Sequence, residues 1–148
     1  MESYVNLETA KLLKEKGFHE MTNGYLVEYL IDQVDEEYPE GGGPFGFTKG
    51  EVEFVPMTHI NENEESDNQA YETYSCPTLS VLQKWLREIH NIIVRVDCAV
   101  VNDWWYQIAY SPKEKTNVYQ QTDLSGNFKK YEEALGEGLR HALKMINN

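Results

Sequence analysis

The stretch Glu40-Gly41-Gly42-Gly43-Pro44-Phe45-Gly46-Phe47-Thr48-Lys49 comes nearest to a phosphate-binding loop in this chain of 148 residues. Gly41 and Gly46 have the separation that lets backbone N–H groups wrap an anion, but Phe47-Thr48 stands where a Lys-Ser/Thr pair would reach the phosphates. Acids on both sides would repel phosphate, so the stretch reads as a turn. Asn61-Glu62-Asn63-Glu64-Glu65-Ser66-Asp67, with Glu72 twelfth from Asn61, offers oxygen ligands at calcium-loop spacing. The opening Asp and the sixth-position Gly of such a loop are missing, which leaves a solvated acidic segment. His19, His59, His90 and His141 form no i, i+4 pair, and Cys76 and Cys98 no Cys-x-x-Cys pair, so neither a zinc site nor a disulfide framework is signalled. A Gly-x-Ser-x-Gly elbow is absent, and no serine or cysteine carries a local signature of activation. These patterns predict a binding protein without cofactor or metal rather than an enzyme.

Two features carry binding chemistry instead. Residues 28–72 hold thirteen acids against the single base Lys49, whereas the remaining residues hold twelve of each, so one stretch carries the whole net charge of −12. Such a field repels phosphate, and direct nucleic-acid binding is not expected. It suits a basic protein partner, with Glu62, Glu64, Glu65 and Asp67 as candidate contacts; the plain alternative is that the acids only keep the protein soluble. The second feature is Trp104-Trp105-Tyr106 with Tyr110, where alternation puts aromatic rings on both faces of a strand. Trp104 and Trp105 are candidates for a protein contact or for a small-molecule or catalytic pocket against a helix, and burial in the core is the alternative.

The elements that would position these residues follow from periodicity. Leu7, Ala10 and Leu13 share a helical face, with Asn6 as N-cap and Gly17 as the left-handed stop. Leu79, Leu82, Leu86 and Ile89 define a second helix over 79–90, capped by Thr78 behind Pro77. Leu135, Leu139, Ala142 and Ile146 define a third over 131–146, with Glu132 and Glu133 at its positive pole. Gly138, between Ala134 and Ala142, predicts a close approach to a sheet. Period-two alternation predicts strands at 24–31, around 51–54 and near Val118-Tyr119, and a hairpin of 92–101 and 104–110 turning at Asn102-Asp103. The expected fold is a single α+β domain: an antiparallel sheet of about four to five strands with three helices largely on one face, and an acidic connection at about 32–70. Hydrophobic residues at 41% and aromatics at 12% exclude wholesale disorder. Without an apolar leader behind Met1 or an eighteen-residue apolar run, a cytoplasmic protein off the membrane is expected.

Tyr74-Ser75-Cys76-Pro77-Thr78-Leu79, running into Gln83-Lys84-Trp85-Leu86-Arg87-Glu88-Ile89-His90, resembles a block in uncharacterised small proteins of phages and prophages from gut anaerobes. Leu7 to Phe18, Tyr131 to Leu135 and Gly138-Leu139 resemble the same group, whereas Lys130 stands where that pattern has a Ser- or Thr-like cap. The resemblance implies a mobile-element setting and an accessory role, and it supplies no catalytic residue.

Overall fold

The computed structural model describes residues 3–30, 48–60, 70–110, 120–121 and 125–146. The first helix forms as α1 (Leu7–Glu15), started by the Asn6 side chain, which accepts from the Thr9 N–H at 2.9 Å. It stops at Gly17, whose φ of +80° frees the chain to turn. Gly17 N–H then donates to Lys14 O and Phe18 N–H to Leu13 O, and Leu13 and Phe18 are fully buried together. That bond pair is a Schellman motif, in which glycine removes the steric cost of the left-handed residue.

The chain divides into two compact units, one of Asn6–Cys76 and one of Pro77–Asn148 with Met1–Val5. In the first, β1 (Thr22–Tyr29) lies between β2 (Val52–Ile60) and β3 (Tyr71–Ser75), antiparallel to both. Directly opposed residues share a face, so Leu26 lines up with Phe54 and Tyr74, and Glu28 with Val52 and Glu72. Phe54 lays its ring where Gly24 has no Cβ. Tyr29 N–H donates to Glu51 O, so alternate residues of β2, Pro56 among them, turn their backbone away from β1. A proline is tolerated there because no ladder bond is lost.

The second unit contains α2 (Leu79–His90), β4 (Ile92–Val100), β5 (Asp103–Tyr110), the short β6 (Gln120–Gln121) and β7 (Ser125–Phe128), and α3 (Tyr131–Lys144). Thr78 Oγ1 accepts from the Val81 N–H, and Asn91 closes α2 in the left-handed region. Strand β5 is central, with β4 on one side and both short strands on the other. Val100 pairs with Asp103, so the hairpin turns at Val101-Asn102 rather than Asn102-Asp103, and Asn102 takes the left-handed conformation that asparagine tolerates. Helix α3 starts at Tyr131 although Lys130 makes no side-chain cap; Glu132 and Glu133 meet the exposed N–H pole instead.

The fold is α+β with three helices, but the strands form two antiparallel sheets where the sequence predicts one. β1 is bonded along both edges by β2 and β3, and the later hairpin pairs instead with β6 and β7 in a sheet of its own. Trp85 replaces Ile89 in the buried stripe of α2, its ring edge-on to His90 at 4.5 Å, and Ile89 is left exposed. The strand expected at Val118-Tyr119 lies outside the described residues.

Candidate functional site

The candidate contacts Glu62, Glu64, Glu65 and Asp67 lie outside the described residues. Three other members of the acidic stretch are placed on the sheet of the Asn6–Cys76 unit, and each is bound by its own chain. Lys11 on α1 meets Glu28 at 2.9 Å, and Lys14 meets Glu72 at 3.2 Å. The Tyr29 hydroxyl donates to Glu53 at 3.1 Å and the Tyr74 hydroxyl to Glu72 at 2.9 Å. Lys14 Nζ also donates to the Thr73 carbonyl and sits 5.1 Å from the centre of the Tyr74 ring. Lys11 and Lys14 fall on one face of α1 because they are three residues apart, the signal in the sequence that could have found them.

Burial by itself would raise the Glu72 carboxyl, but hydrogen bonds from Tyr74 and Lys14 and the charges of Lys14 and Lys11 hold it below its ordinary value of 4.5. Burial first, then the bond to Glu72 and the charges of Glu72 and Glu28, push the Tyr74 phenol far above 10.0. Tyr29 is raised in the same direction by burial and by its bond to Glu53. The signs give opposite pH windows. The Glu72 contribution is complete above 4.5 and is lost as pH falls through the depressed folded value; the tyrosine contributions are complete below 10.0 and are lost as pH rises above it. Tyr74→Phe is expected to lower stability near neutrality by about 1–2 kcal/mol and to flatten both limbs. Urea unfolding followed by circular dichroism from about pH 3 to about pH 11 checks this, and an unchanged pH profile would contradict it.

In the second unit, the register puts Trp104, Tyr106, Ile108 and Tyr110 on one face of the hairpin with Ile92, Val94, Val96 and Cys98. Helix α3 covers that face. Trp104 meets Tyr131 edge-on at 5.5 Å, and the Tyr106 hydroxyl lies 3.1 Å from His141 Nδ1. A Cβ on Gly138 would come within 2.8 Å of Val94 Cγ1 and 2.9 Å of Tyr106 Cγ, so the seam is filled at that point by the close approach Gly138 predicts. Trp105 is on the opposite face, across from Asp97 and beside Arg95 and Gln107. The two tryptophans are both half-buried and do not converge on one site.

No family model, curated protein or solved structure matches this chain.

Among the described residues, no three His, Cys, Asp or Glu side chains gather as a metal site. Both cysteines are free, and burial pushes the Cys76 thiol up to about 11, which keeps it protonated and unreactive. Within the described residues, no helix is long and apolar enough to cross a membrane.

Proposed function

We propose that this chain is a non-enzymatic interaction protein whose acidic unit engages a basic protein partner, in the accessory role of a phage or prophage product. The supporting observation is the division of charge between the two compact units. Asn6–Cys76 holds sixteen acids and four bases, a net −12, whereas Pro77–Asn148 with Met1–Val5 holds nine of each. Lys11 and Lys14, half of the bases in the acidic unit, are engaged with Glu28 and Glu72. Nine of the unit's sixteen acids fall in 31–47 and 61–69, which contain no Lys or Arg.

Charge that serves solubility works from any part of a surface, but charge confined to one unit attracts a cationic partner to that unit and orients it. The reading is tested by capture from a lysate of the natural host at low and moderate salt. One variant neutralises Glu62, Glu64, Glu65 and Asp67; a control of equal net charge neutralises Glu88, Glu132, Glu133 and Glu137. Wild type and control are expected to retain the same basic protein at low salt and to release it as salt rises, and the first variant is expected to lose it. Equal loss in both variants would leave only a general effect of charge. The alternative of a ligand pocket at the Trp104/Trp105 hairpin gains no support from the filled seam at Gly138 or from the divergence of the two rings.

A further inference from the structure

Strand β4 is the outer strand of its sheet: β5 bonds one side, and among the described residues no strand bonds the other. Backbone groups of alternate residues point to opposite edges of a strand, and two side chains identify which set points outward here. Gln83 on α2 donates from Nε2 to the Val94 carbonyl at 2.9 Å, and Asp97 Oδ1 accepts from the Cys98 N–H at 2.8 Å. Positions 94 and 98 have the same parity, so Val94, Val96 and Cys98 turn their N–H and C=O groups to the open edge, while Arg95 and Asp97 turn theirs toward Gln107 and Trp105 of β5.

An antiparallel strand of identical sequence centred on Val96 would set 94 against 98 and 95 against 97. In that register the Val94 carbonyl of one copy accepts from the Cys98 N–H of the other, and Arg95 faces Asp97 twice, once on each side of the two-fold axis. Both charged side chains are exposed. Oppositely charged residues placed directly across a strand pair favour that register. The edge is thus complementary to itself in hydrogen bonding and in charge. The two backbone groups already satisfied within the chain, Val94 C=O and Cys98 N–H, are the acceptor and the donor that would join two copies.

We infer that the outer edge of β4 is a pairing surface for a second copy of this chain, antiparallel about Val96, with Gln83 and Asp97 holding it closed in the separate molecule. The two outer strands of the acidic unit lack this property. One carries Pro56 on its outward set, and on the other Lys14 occupies the Thr73 carbonyl. Pairing through β4 is independent of the acidic unit and of its partner, apart from the mutual repulsion of two net charges of −12.

Sedimentation velocity of the full chain over a range of concentrations, at about 0.15 M salt to screen that repulsion, tests the inference. Wild type is expected to associate weakly. Gln83→Ala, which uncovers the Val94 carbonyl in both copies, is expected to tighten association about 10- to 100-fold, the scale of two competing hydrogen bonds. Adding Arg95→Glu sets like charges across the axis and is expected to reverse that gain, while the exchange Arg95→Asp with Asp97→Arg in the Gln83→Ala background restores it. Circular dichroism of each variant confirms that the fold is retained. A Gln83→Ala chain that stays monomeric at every concentration overturns the inference, as does a dimer whose affinity ignores the Arg95 and Asp97 substitutions.

Discussion

Phe18→Ala is expected to destabilise the Asn6–Cys76 unit by about 3–5 kcal/mol, a large part of the 5–15 kcal/mol that holds an ordinary domain together. Phe18 is fully buried, and its backbone N–H closes the Schellman motif onto Leu13 O. Truncation therefore removes a fully buried ring at the residue after the turn and leaves a cavity at that corner. Gly17→Ala tests the same corner from the backbone side. It keeps every apolar contact but forces a Cβ into a residue at φ +80°, at a cost of about 1–2 kcal/mol. All three tryptophans, at 85, 104 and 105, belong to the other unit, so fluorescence does not report this corner directly. Hydrogen exchange of the α1 amides does. Protection in Phe18→Ala that matches wild type would mean that α1 is held by something other than this motif.

Elements whose signals are local were legible in the sequence. The cap at Thr78, the block at Pro77 and the apolar spacing through Leu86 all lie within a dozen residues, and α2 forms where they place it. α1 is equally local, from Asn6 to Gly17. β3 was not legible, because Thr73, Tyr74 and Ser75 are buried in succession and a strand buried on both faces shows no alternation. Its place beside β1 is fixed by register with residues more than forty positions earlier. The split into two sheets is likewise a matter of pairing choice: a strand's own sequence shows which of its faces is apolar, not which neighbour it takes.

The confinement of charge to one stretch was legible, but not its pairing. Counting along the chain credits Glu28 and Glu72 to the acidic surplus, because the lysines that meet them lie 17 and 58 positions away. Folding sets those two carboxylates against lysines of the same unit, so its net charge of −12 is unchanged while the free acids are fewer than the count along the chain suggests. The hairpin shows the same limit. Alternation correctly separates Trp104 from Trp105, but only the packed structure shows that α3 lies over the first and that Arg95 and Asp97 sit beside the second.

Gly136 and Gly138, two residues apart on α3, are expected to respond differently to the same substitution, with a gain in stability at 136 and none or a loss at 138. An alanine at 136 meets nothing within 4 Å, so it gains helix propensity alone, about 1 kcal/mol of stabilisation. An alanine at 138 gains the same propensity but drives its methyl to 2.8 Å from Val94 Cγ1 and 2.9 Å from Tyr106 Cγ. Neither neighbour can yield easily: Val94 is β-branched and stiff at χ1, and the Tyr106 atom is the ring's attachment point, with its hydroxyl held against His141. Overpacking of this kind costs about 1–3 kcal/mol, which cancels or exceeds the helical gain, and Gly138→Leu should lose about 3 kcal/mol because no rotamer avoids the sheet. Thermal or urea unfolding followed by tryptophan fluorescence reads both substitutions, since Trp104 and Trp105 lie on the strand that α3 covers. If Gly138→Ala stabilised as much as Gly136→Ala, helix α3 would have to stand farther from Val94 and Tyr106 than a glycine contact allows. In that case the hairpin–helix seam would again have room for a ligand, and the pocket reading would regain its ground.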